Sequence, residues 1–196
     1  MSSALLKVEK LGIQFGGLKA VQNVEMHLNQ GELIGLIGPN GAGKTTTFNM
    51  LTGVYTPTEG TIIFNGKAIG GLDPYKVTRQ GISRTFQNIR LFKELSVLNN
   101  VKVANHGLAK HNLVSSIFRL PSHFKGEEKM EQESLAFLKI FGLDVYRDEL
   151  AKNLPYGMQR RLEIARALAA APKLLLLDEP AAGMNAKETH DLMELI

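Results

Sequence analysis

Gly38-Pro39-Asn40-Gly41-Ala42-Gly43-Lys44-Thr45 fits the pattern G-x-x-x-x-G-K-[ST] without a mismatch, and it decides how the rest of the chain is read. Before it runs Leu33-Ile34-Gly35-Leu36-Ile37, a short continuous apolar stretch that predicts a strand buried on both faces. After it, Lys44 to about Leu51 predicts a helix. A strand, a glycine-rich loop and a helix start in that order form a cradle for phosphate. The glycines let successive backbone N–H groups turn inward into a concave nest, and the helix N-terminus adds partial positive charge. Lys44 then neutralises the β- and γ-phosphates, and the Thr45 hydroxyl is a ligand for Mg²⁺. The expected nucleotide-binding set is Gly38, Pro39, Asn40, Gly41, Ala42, Gly43, Lys44, Thr45 and Thr46.

Far downstream, Leu174–Leu177 predicts a second buried strand, closed by Asp178-Glu179-Pro180. A carboxylate at such a strand end suits a metal bound through water. Neighbouring side chains on a strand point to different sides. Asp178 can therefore face the metal while Glu179 faces an attacking water as general base. Acidic residues often close strands, so this signal gains its weight from the loop at residues 38–45. A guanine-specific switch does not fit: no aspartate has glycine three residues on, and no asparagine precedes a lysine.

Working outward, Leu5–Leu11 and Ala20–Leu28 are apolar-rich, partly alternating strands, and Thr61–Phe64 is another, closed by the hairpin dipeptide Asn65-Gly66. From about Leu91 to Arg166 the pattern turns helical. Ser96 is placed as N-cap of a helix to about Ala104, and Met130, Leu135, Leu138 and Phe141 share one face of another. Ser115–Lys125 is expected to be an irregular insert. A last helix starts near Ala186 and is read as still running at Ile196.

The bulk composition sets bounds. The chain has 196 residues, 44% hydrophobic and 21% charged, which suits one globular domain. Arg166, Pro172 and Lys173 interrupt the richest apolar region, and the first residues lack the basic start of a signal peptide. There is no cysteine, hence no disulfide framework. The net charge of +4 is scattered, and nucleic acid is not an expected partner.

The stretch from Leu154 to Leu168, with Leu154-Pro155-Tyr156-Gly157-Met158-Gln159-Arg160-Arg161 at its head, resembles the L-S-G-G-Q signature and basic helix of ABC ATPases. Asp178 to Asn185 resembles that family's Walker B and D-loop, and Arg84-Thr85-Phe86-Gln87 the entry to its Q-loop. The resemblance implies that Gln87 reaches metal and attacking water, and that Phe15 stacks on adenine. It also implies that Leu154, Pro155, Tyr156, Gly157, Met158 and Gln159 face ATP held by a second ATPase subunit. The implied fold is an α/β P-loop cassette: a parallel-sheet core, an N-terminal antiparallel β-subdomain and an inserted helical subdomain. Its expected segments are 1–90, 91–166 and 167–196 within a single domain. Residues 86–92, the signature and Glu179-Pro180-Ala181-Ala182-Gly183 together look like ATPase subunits of high-affinity branched-chain amino-acid importers.

That likeness implies ATP and Mg²⁺ as cofactors, a homo- or heterodimeric ATPase pair, two membrane permease subunits and, indirectly, a solute-binding protein. The implied place is the cytoplasmic face of the inner membrane. Two residues depart from the family pattern. Pro155 replaces the signature serine and cannot donate its hydrogen bond, and Asn185 stands where the D-loop usually has Asp. His190 is read as a surface helix residue and not the family's switch histidine. The resemblance also implies that a further strand and that histidine follow Ile196, so the chain as given is expected to bind nucleotide and barely hydrolyse it. Two alternatives stay open: a soluble ABC ATPase outside transport, and a module that binds ATP without turnover.

Overall fold

Two runs of β-branched and aliphatic residues, separated by Gly16-Gly17, fold back on each other at the start of the chain. In the computed structural model, which describes residues 4–106 and 121–196, they form β1 (Leu6–Phe15) antiparallel to β2 (Leu18–Leu28). The other side of β1 pairs antiparallel with β3 (Glu59–Phe64), and β3 pairs with β4 (Lys67–Ala68), giving the order β2-β1-β3-β4. Phe64 lies opposite Lys67, so Asn65-Gly66 is a two-residue loop, and both residues have positive φ (49° and 77°). Only a loop tolerant of left-handed backbone matches the twist of the strands, and Asn-Gly supplies one. Leu6, Val8, Leu11, Ile13, Ile62 and Phe64 are buried beneath this sheet. Helix α1 (Lys44–Leu51) and helix α2 (Pro74–Gln80) complete this unit, Met1–Ile82.

One expected strand is absent. Leu33–Ile37 carries no strand pairing, and Leu33 and Ile37 are 83% and 94% exposed. An apolar run buries both faces only when neighbours flank both of its edges, and no described strand pairs with this one.

The second unit, Ser83–Ile196, is mainly helical. Strand β5 (Ile82–Arg84) pairs with β6 (Leu174–Leu176), and Thr85 N–H donates to the Leu176 carbonyl at 3.0 Å. Helices α3 (Val97–His106), α4 (Pro121–Ile140) and α5 (Tyr156–Ala169) pack on one another through Val97, Val101, Leu138, Phe141, Leu162 and Ala165. Ser115–Leu120 of the expected irregular insert lies outside the described residues. From Pro121 the chain is already helical, a correction to that expectation: proline suits a helix's first turn, where its missing N–H goes unused. Helix α6 (Ala186–Met193) ends at Met193 and not at Ile196. Its start is a capping box: Asn185 Oδ1 accepts from Glu188 N–H at 2.9 Å, and Glu188 Oε2 accepts from Asn185 N–H at 3.0 Å.

Ser96 caps α3 as expected, its Oγ accepting from Asn99 N–H at 3.1 Å. Next to it, buried Asn100 fastens the segment before α3. Its amide donates to the carbonyls of Phe92 (3.0 Å) and Ser96 (3.0 Å), and its oxygen accepts from Phe92 N–H at 2.9 Å. Asn100→Ala strands these backbone groups and is expected to destabilise the protein by about 2–3 kcal/mol. The midpoint of urea unfolding, with its slope unchanged, is the measurement.

Candidate functional site

The loop expected to cradle phosphate belongs to the first unit. Gly41 and Gly43 both sit at φ 84°, a left-handed backbone that costs L-residues with a side chain. Gly43 is also held closely: a Cβ there would meet Val21 at 2.8 Å and the Ala20 carbonyl at 3.0 Å. It caps α1, and the Thr47 N–H and hydroxyl both donate back to its carbonyl, at 2.8 and 3.0 Å. No acidic residue stands in the first turn of α1, so its positive end is not neutralised locally. Lys44 Nζ folds over the loop and donates to the carbonyls of Gly38 and Pro39, the latter at 2.9 Å. Pro39, Asn40, Gly41, Ala42 and Thr45 are exposed, while Gly38, Gly43 and Thr46 are half-buried. Phe15 ends β1 in the same unit. Its ring is 45% exposed and stands edge-on to Tyr55 at a centroid distance of 5.2 Å.

The carboxylates lie in the second unit, just beyond β6, and differ in burial. Asp178 is buried and ion-paired with Arg84, Nη2 to Oδ2 at 2.7 Å. Glu179 is exposed, at a positive φ of 47° rare for a non-glycine residue. Gln87 is brought to it: the amide Nε2 donates to Glu179 Oε2 at 3.2 Å. The hydroxyl of Thr45, the carboxylate of Asp178 and the amide oxygen of Gln87 are each the oxygen type of ligand that a hard cation such as Mg²⁺ takes. Among the described residues no group of three or more His, Cys, Asp or Glu is placed to hold a metal ion.

The signature stretch starts α5. Pro155 occupies the N-cap with ψ 152°, one position before the first helical turn, and its carbonyl accepts from Gln159 N–H at 2.9 Å. The Gln159 amide donates to the Leu154 carbonyl at 2.7 Å. Leu154 and Met158 pack into the helical core. Tyr156 Oη donates to the Ala182 carbonyl at 3.1 Å, tying the signature to the D-loop. Gly157 lies against α6, where a Cβ would run into the Glu188 carboxylate. Burial pulls the Arg166 guanidinium below its usual range, opposed by the charge of Glu163, and it lies 5.4 Å over the exposed Phe92 ring. His190 is exposed on α6, 3.4 Å from Glu194, as read from the sequence.

Four residues important to this geometry were given no role of their own from the sequence: Tyr55, Arg84, Arg160 and Glu163. Arg160 and Glu163 are buried and paired at 2.7 Å. Charges three residues apart within an otherwise core-facing helix were the available signal.

Among known proteins, the ABC transporter family profile matches residues 21–182. The chain is 47% identical over all of its 196 residues to the high-affinity branched-chain amino acid transport ATP-binding protein LivG of Escherichia coli (strain K12), covering 77% of that protein. It is 45% identical, with the same coverage, to BraF of Pseudomonas aeruginosa, which bears the same description. The solved ADP conformation of MJ1267, an ATP-binding cassette of an ABC transporter, superposes with a TM-score of 0.82 at 32% identity, over 99% of this chain and 76% of that one. None of the helices among the described residues is long and apolar enough to cross a membrane. Phosphate loop, paired strand-end acids and signature helix occur in the order of the cassette, the matches run the length of the chain, and the chain belongs to the ABC transporter family as an ATP-binding subunit.

Proposed function

We propose that this chain binds and hydrolyses ATP with Mg²⁺ to drive solute import, and that the solutes are branched-chain amino acids. The observation that carries this reading is the whole-chain identity to LivG and BraF, both described as branched-chain amino acid transport ATP-binding proteins. In this reading residues 38–46 hold the phosphates, with Lys44 as their cation, and Phe15 stacks on the adenine. Thr45, Asp178 and Gln87 would hold the metal, which screens phosphate charge when bound. Glu179 takes a proton from the attacking water, and its contact with Gln87 supports a shared place at that water. Leu154–Gln159 faces nucleotide on a second ATPase subunit. The chain works as one domain, with 91–166 inserted into the ATP-binding core, peripheral to the cytoplasmic face of the membrane. Two permease subunits receive its motion, and a solute-binding protein selects the cargo.

The permease contact is assigned to the Gln87–Phe92 segment, where exposed Phe92 stands beside the residue that contacts Glu179. Cysteines at Arg90 or Lys93 should crosslink to a membrane subunit, since the chain has none of its own. With membrane subunits and binding protein reconstituted, leucine, isoleucine or valine should raise ATP turnover several-fold above an unrelated amino acid. Equal stimulation by all solutes would overturn the cargo assignment, and failure to crosslink at both positions, with control sites succeeding, would overturn the docking face.

A further inference from the structure

Arg160 is the largest fully buried side chain of the protein's described residues, and a buried guanidinium is retained only if its donors are met. Here they are met almost entirely by main chain. Nε donates to the Pro180 carbonyl at 3.1 Å, and Nη2 donates to the carbonyls of Asp178 at 3.3 Å and Glu179 at 2.7 Å. Nη1 donates to the Phe86 carbonyl and, at 2.7 Å, to Glu163 Oε2. The other oxygen of Glu163 accepts from Arg90 N–H at 3.1 Å and Phe86 N–H at 3.5 Å. One turn of the signature helix thus grips both segments that present Gln87 and Glu179. The Glu179 carbonyl held by Arg160 also closes a turn with Ala182 N–H at 3.0 Å, and this is the residue whose backbone is in the left-handed region. A conformation of that kind persists when its surroundings over-determine it.

We propose that Arg160, charge-balanced by Glu163, is the positioning residue that holds the Glu179 backbone in its left-handed conformation and locks it to the Gln87 segment, so that the state of the signature helix is passed to the chain's own Glu179. Arg160 touches no reacting atom in this assignment. A guanidinium is required because a planar fork reaches several carbonyls at once, whereas an ammonium is a point charge. This rests on the reading of Glu179 as the base.

ATP affinity and turnover are measured in the protein and in Arg160→Lys, Arg160→Met, Glu179→Gln and the double variant R160M/E163M, which removes both charges together and leaves no stranded carboxylate. The expected result is a kcat lowered at least about tenfold in Arg160→Met and in the double variant, with KM for ATP within about twofold and partial recovery in Arg160→Lys. Parental kcat in the folded double variant, or a KM rising in step with the loss of kcat, would overturn the proposal. If Glu179→Gln alone turns over at the parental rate, the base assignment fails, and the proposal with it; if Glu179→Gln is inert while the Arg160 variants are not, only the proposal fails. Amide exchange decides independently of turnover. Exchange at Ala182 and Arg90 should quicken in the double variant, and unchanged exchange at both would overturn the proposal.

Discussion

In a version extended to the length of LivG, of which this chain covers 77%, Glu179→Gln is expected to lower ATP turnover by about two to four orders of magnitude, the usual contribution of a general base. ATP affinity should stay within about twofold, because a neutral amide of the same shape changes the transition state far more than the ground state. The geometry favours this separation. Glu179 is exposed and touches the Gln87 amide through one carboxylate oxygen, while its neighbour Asp178 is buried. A glutamine can keep a hydrogen bond to Gln87 but cannot accept a proton from water. Steady-state phosphate release, beside equilibrium binding of a fluorescent ATP analogue, is the measurement. Turnover at the parental rate would remove Glu179 from the chemistry.

Lys44→Ala is expected to weaken ATP binding by about ten- to a hundredfold, the worth of about 1.5–3 kcal/mol for hydrogen bonds to a charged group. Lys44 is satisfied by the carbonyls of Gly38 and Pro39, so phosphate oxygens replace partners that it already has. The net gain is therefore smaller than the bare attraction between an ammonium and a triphosphate. The loop backbone should survive, because Gly41 and Gly43 owe their conformation to the turn and not to the lysine. Titration with the same analogue tests this, and an unchanged affinity would sink the assignment of the cradle.

Much of this was legible because it is local. The helix at Lys44–Leu51, the Asn65-Gly66 hairpin and the Ser96 cap each follow from a few adjacent residues, and each has the expected form. Asp178 and Glu179 do differ in burial, but both lie beyond the strand, and Glu179 has left-handed backbone that strand alternation does not describe. What escaped depends on partners distant in the chain. The pairing of Arg84 with Asp178 spans 94 residues, and nothing near Arg84 announces it. The acceptors of Arg160 come from segments up to 74 residues away. The apolar stretch Leu33–Ile37 failed in the opposite sense. Its composition suits a buried strand, but burial is conferred by neighbours, and hydrophobicity alone does not supply them.

The seating of Gly157 against Glu188 has an electrostatic consequence. Glu188 belongs to the capping box of α6, yet its carboxylate also lies over the first turn of the signature helix. One negative charge thereby serves as counter-charge to two helix dipoles. The N–H end of the signature helix is consequently less electropositive than that of α1, which has no acid in its first turn. The two helix ends expected to meet phosphate therefore differ in their local counter-charge: α1 has no acid in its own first turn, and the signature helix has Glu188 against it.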